Sequence, residues 1–121
     1  MEIGVSSSCF YPALIEESLE AVGRSGAKTA EIFFNSPSEL EGSILKQLCR
    51  IKDYYGIQVR SVHPFTSGYE PYLIFSNYDR RTNDSIEFYK RYFAAANELG
   101  AELVVLHGGR DRKGYTPELY A

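Results

Sequence analysis

A chain of 121 residues, 44% hydrophobic and 24% charged, with ten Tyr and seven Phe, has the composition of a globular domain and not of a disordered tail. A net charge of −3 argues against a dedicated nucleic-acid binder, which needs a clustered basic surface, and no apolar run is long enough to cross a bilayer, so no membrane association is expected. Cys9 and Cys49 lie far apart and outside any C-x-x-C pair, and the start runs into a strand-like segment with no targeting peptide, so a cytoplasmic protein with reduced thiols is expected.

The first apolar run, Ile3-Gly-Val5, reads as a short strand. Pro12 suits the first position of a helix, and Ile15, Ser18, Leu19 and Val22 form its inward stripe while Glu16, Glu17 and Glu20 face out. Gly26 is placed to close that helix. Residues 29–34 (Thr-Ala-Glu-Ile-Phe-Phe) form a second strand. Ser36-Pro-Ser-Glu39 has the form of a capping box opening a helix with Ile44, Leu48, Ile51 and Tyr55 on one face, ended by Gly56.

Residues 57–63 form a third strand ending in His63, followed by a long loop from Pro64 to Tyr78, a length associated with function in compact domains. A third helix begins between Asp79 and Thr82, with Ile86, Tyr89, Phe93 and Ala96 as its buried face, and Gly100 closes it. The plainest strand, residues 102–107, ends in His107. Thr116-Pro117-Glu118 marks the start of a fourth helix.

The order is β-α-β-α-β-α-β, which implies parallel strands joined by right-handed crossovers. Two architectures fit: a small open flavodoxin-like sheet, or one domain over residues 1–121 forming the first half of a (β/α)₈ barrel. A closed barrel needs about 250 residues. No glycine-rich phosphate loop follows the first strand, which counts against a nucleotide-binding open sheet.

His63 and His107 are the only histidines, and both end predicted strands, at the edge where parallel α/β folds keep their sites. Adjacent strands are about 4.8 Å apart, so two imidazoles there can converge on one metal ion. Strand alternation groups His63 with Ser61 and Val59, and His107 with Val105 and Leu103. Two ligands are fewer than the three or four zinc takes. Glu31, mid-strand, is either a partner orienting an imidazole or a charge near the strand's solvent end. Arg80, Arg81, Arg110, Arg112 and Lys113 follow the third and fourth strands; Arg80 and Arg110 are candidates for an anionic substrate group. Phe10, Tyr11, Phe65, Tyr69 and Tyr72 are candidate pocket walls, with Phe65 the nearest to His63 in sequence.

Ser61-Val-His63-Pro-Phe65, Arg80-Arg81, the helix end Ala95-Ala-Asn-Glu-Leu-Gly-Ala101 and Val104-Val-Leu-His107-Gly-Gly109 resemble the third and fourth units of xylose-isomerase-like barrels. Ala30-Glu-Ile-Phe-Phe-Asn-Ser-Pro37 is similar to the second unit of the endonuclease branch of that superfamily. The resemblance spans essentially the whole chain. It implies a divalent metal (Zn, Mn or Mg) held partly by His63 and His107, with the carboxylates for proton transfer on later units. Three functions are then in play. The first is the N-terminal half of a metal-dependent sugar or sugar-phosphate isomerase or epimerase, acting through an enediolate. The second is a zinc phosphodiesterase of the abasic-site endonuclease type, against which the net charge counts. The third is an inactive half-barrel that self-associates, since exposed sheet edges favour homo-oligomers.

Overall fold

The computed structural model describes residues 3–108. The four strands are β1 (Gly4–Ser6), β2 (Thr29–Phe33), β3 (Gln58–His63) and β4 (Leu103–Val104), and the three α-helices are α1 (Ile15–Arg24), α2 (Gly42–Tyr55) and α3 (Asp79–Leu99). The strands are all parallel and stand in sequence order, β1-β2-β3-β4. That order removes the flavodoxin-like alternative, whose strand order doubles back. Right-handed crossovers that always step the same way put every helix on one face of the sheet. The other face is bare among the described residues, as the inside of a half-barrel is.

The core lies between the sheet and the helices. Ala30, Ile32 and Phe34 from the β2 segment and Val59 and Val62 from β3 meet Ile15, Leu19 and Val22 of α1 and Leu45, Leu48 and Ile51 of α2. The α1 stripe is the expected one, Ile15, Ser18, Leu19 and Val22. Pro12, however, precedes the helix. A 3-10 turn at Ser7–Phe10 intervenes, and α1 starts at Ile15, where the Glu17 carboxylate accepts the Leu14 N–H at 3.2 Å. Glu39 likewise reaches back to the Ser36 N–H at 3.4 Å, but the segment it opens is a 3-10 turn, Pro37–Leu40, with α2 starting afresh at Gly42. Gly56 and Gly100 close α2 and α3 with φ of 64° and 72°, a left-handed conformation that costs a side-chain-bearing residue energy.

Three expectations need correction. The α3 face is rotated from the apolar stripe: Ser85, Tyr89, Tyr92, Ala95, Ala96 and Leu99 are buried, while Ile86 and Phe93 are 43% and 49% exposed. Tyr89 and Ala96 belong to both stripes, and on the observed face the Tyr89 hydroxyl meets buried partners, Thr66 and Glu70. Second, β4 has two residues, and one more ladder bond from the Val105 N–H to the Val62 carbonyl (2.9 Å) carries the chain on toward His107. Third, Val59 does not share the face of His63. Ala30 pairs with Val59 but Glu31 pairs with Ser61, so Arg60 is an extra residue and the alternation resets there. The predicted helix start at Thr116-Pro117-Glu118 lies outside the described residues. Among the described residues no helix is long and apolar enough to cross a membrane.

Candidate functional site

The bare face of the sheet is polar where it meets the carboxyl ends of the strands. In register across it stand Ser6, Glu31, Ser61 and Leu103, the last 63% exposed. Glu31 accepts the Ser6 hydroxyl at 2.8 Å on Oε1 and the Ser61 hydroxyl at 3.2 Å on Oε2. Both of its oxygens therefore serve neighbouring strands, and its recorded bonds do not include an imidazole.

One step further along the strands come Phe33 and His63, paired across β2 and β3. Their rings stack with centroids 4.6 Å apart and planes 26° apart. The His63 Nδ1 lies 3.0 Å from the Pro64 carbonyl oxygen, and its ring centroid is 5.1 Å from that of His107. The two histidines of the sequence are thus neighbours on one rim.

His107 is held by a residue the sequence reading did not single out. Glu70, from the 3-10 turn Glu70–Tyr72, is fully buried. Its Oε2 accepts the backbone N–H of His107 and lies 3.8 Å from the ring Nδ1. Its Oε1 accepts the Tyr89 hydroxyl at 3.1 Å, which in turn is 2.6 Å from the Thr66 hydroxyl. Burial pushes Tyr89 up to about 12, so its hydroxyl stays protonated at ordinary pH. The sequence signal for Glu70 was its position: a lone acid ahead of a proline in a long loop leaving a strand end.

Beside His107 is a cavity of about 320 Å³, lined also by Ser67, Gly68, Pro71 and Gly108. A larger cleft of about 550 Å³ contains Arg80, Arg81, Asp84 and Phe88 but neither imidazole; Thr66 lines it and so joins it to the Tyr89–Glu70 chain. Arg81 is the less free of the two cations, its guanidinium over the Tyr78 ring at 5.8 Å and donating to the Tyr72 carbonyl at 3.5 Å. Phe65 and Phe10 pack against the core, whereas Tyr11, Tyr69 and Tyr72 are 74%, 64% and 44% exposed. Arg110, Arg112 and Lys113 lie outside the described residues.

The donor set suits a metal in kind and falls short in number. Imidazoles whose Nδ1 edges are engaged by a carbonyl and a carboxylate leave Nε2 as the ligand nitrogen, the arrangement found around bound zinc. A ring separation of 5.1 Å permits both to reach one ion at about 2.1 Å. Among the described residues, however, no group of three or more His, Cys, Asp or Glu gathers as a metal site.

No family model matches the chain. The uncharacterised protein MJ1311 of Methanocaldococcus jannaschii is 29% identical over 121 residues, all of this chain and 38% of that protein. A D-tagatose 3-epimerase-like protein superposes with a TM-score of 0.73 at 28% identity, over 100% of this chain and 41% of its own. The chain has the fold of the first half of a xylose-isomerase-like TIM barrel. A D-psicose 3-epimerase solved in the presence of D-fructose agrees in fold (TM-score 0.70, 14% identity, 96% of this chain and 41% of that one). So does the 3-keto-D-glucoside 4-epimerase YcjR from E. coli (TM-score 0.65, 20% identity, 88% and 37%). Against these four proteins the half-barrel spans between 37% and 41% of their length.

Proposed function

We propose that this half-barrel carries the β3–β4 rim of a divalent-metal-dependent sugar or sugar-phosphate isomerase or epimerase. The observation that carries the reading is the His63–His107 pair, 5.1 Å apart at the carboxyl ends of adjacent strands, each with its Nδ1 edge against an acceptor. The epimerases among the structural neighbours support the sugar substrate class. His63 and His107 hold the ion; Pro64 and Glu70 orient them. When bound, a divalent ion supplies Lewis acidity that polarises a sugar carbonyl and its neighbouring hydroxyl. Phe33 walls the His63 side with an aromatic face. Arg80, at the same end of the sheet, is the candidate for a phosphate or other anionic group on the substrate. The proton-transfer carboxylates and the remaining ligands are assigned to later units of a complete barrel, so turnover belongs to that barrel and partial metal binding to this chain.

Calorimetric titration with Zn²⁺ and Mn²⁺ tests the reading. The chain should take up about one equivalent, and His63→Ala and His107→Ala should each weaken binding by at least about 10-fold. Equal affinity in all three proteins would remove the site.

A further inference from the structure

Glu70 is the only charged side chain that is buried among the described residues. Taking a carboxylate out of water is strongly unfavourable unless every lone pair it turns inward is met. Here the contacts are divided with little left over: Oε1 to the Tyr89 hydroxyl at 3.1 Å, and Oε2 to the backbone N–H of His107 with the ring Nδ1 of the same residue 3.8 Å away. Tyr89 is itself fixed by the 2.6 Å bond to Thr66. The result is a relay from α3 and the turn after β3 to a single residue, His107. It meets His107 beyond the end of β4, where the ladder no longer holds the main chain.

We propose that Glu70 is a positioning residue for His107, anchoring its backbone and keeping the ring proton on Nδ1 so that Nε2 presents a lone pair to the open face. Its functional meaning rests on His107 being a metal ligand, as read above. The 3.8 Å separation is longer than a hydrogen bond, so the effect on the ring acts through charge. Negative charge beside Nδ1 favours the tautomer protonated there, the reverse of the preference of a free neutral histidine side chain. His63 reaches the same end by another route, its Nδ1 facing the Pro64 carbonyl. Both rings then offer the same nitrogen.

The test is the tautomer of His107, read by long-range proton–nitrogen correlation on metal-free, nitrogen-15-histidine-labelled chain at about pH 8, above the ordinary imidazole value. The wild-type His107 should be mainly Nδ1–H. Glu70→Gln should cut that share by about half or more, and Tyr89→Phe, which loosens the carboxylate, should move it less in the same direction, with His63 unchanged in both. An Nε2–H ring in the wild type overturns the proposal without any variant, and so does an unchanged share in a Glu70→Gln protein that still melts cooperatively. An Nδ1–H ring in a wild-type chain that fails to bind Zn²⁺ would sink the metal reading and leave the Glu70 assignment standing. Zinc uptake with an Nε2–H ring in the metal-free chain would do the opposite.

Discussion

Gly23 lies in the last turn of α1 where that helix crosses the end of α2, and replacing it with alanine sets two effects of known size against each other. In an uncrowded helix the change from glycine to alanine stabilises by about 1 kcal/mol. A Cβ at this position would stand 2.3 Å from Cγ of Tyr55 and 2.5 and 2.7 Å from its Cδ2 and Cδ1. Those atoms are the root of the ring, so they cannot be cleared by tipping its tip; Tyr55 must change χ1. That forfeits its packing against the core and its perpendicular contact with Tyr54, centroids 4.9 Å apart. Overpacking of this kind costs about 1 to 3 kcal/mol. Gly23→Ala should therefore destabilise by about 1 kcal/mol net, while in a Tyr55→Ala background it should stabilise by about 1 kcal/mol. Urea unfolding followed by far-ultraviolet circular dichroism on all four members of the cycle measures the coupling. An equal gain from Gly23→Ala in both backgrounds would refute the close approach of the two helices at this point.

Three further outcomes are expected. Burial raises Tyr89 to about 12 and Tyr92 further still, so the unfolded chain, ionising near its ordinary value of about 10, is favoured progressively as pH rises. Stability should be flat below about pH 10 and fall through 12. Among the described residues the Tyr92 hydroxyl is buried without a hydrogen-bond partner, the Thr66 hydroxyl that influences it being committed to Tyr89, so Tyr92→Phe should preserve stability at neutral pH and lessen the alkaline loss. An undiminished alkaline loss in urea titrations of that variant would count against it. Cys9 is exposed, whereas Cys49 donates to the Glu98 carbonyl at 3.5 Å and burial pushes its thiol up; a disulfide-exchange reagent should label Cys9 at least about 10-fold faster, and equal rates would contradict the burial. With β1 and β4 at the edges of the sheet among the described residues and Leu103 and Leu106 63% and 46% exposed, the 121-residue polypeptide expressed by itself should self-associate in light scattering, and a monodisperse monomer across concentrations would refute this.

Periodicity made most of the helix layer readable. Ile15, Leu19 and Val22 repeat at the helical interval, and the glycines that close α2 and α3 mark where a left-handed residue is needed. The sequence pattern failed wherever a distant partner decided. The face of α3 could not be chosen between two overlapping stripes that share Tyr89, because what the helix packs against lies far off in sequence, Thr66 and Glu70 being 23 and 19 residues from Tyr89. Pairing the two histidines needed only strand ends and parallel topology, so their juxtaposition was legible. Glu31 stood out because a charge in a strand is conspicuous, yet its bonds go to Ser6 and Ser61. Glu70 did not stand out because an acid in a loop looks solvated, and only the folding of that loop over Tyr89 buries it.

The extra residue in β3 gives the strand two phases. Before it, Val59 looks toward the helices; after it, Ser61 and His63 look the other way. Deleting Arg60 would restore strict counting by twos with Val59 still toward the helices and His63 still beside Phe33; it is flattening the bulge with Arg60 kept in the ladder that would turn the imidazole underneath, into the hydrocarbon layer. The side chain of Arg60 meanwhile reaches the exposed Glu102 at 2.9 Å, far from the rim. The irregularity should matter more than the identity of its residue: many residues can stand in for the arginine, and a deletion that closes the bulge leaves His63, three places on, facing the same way.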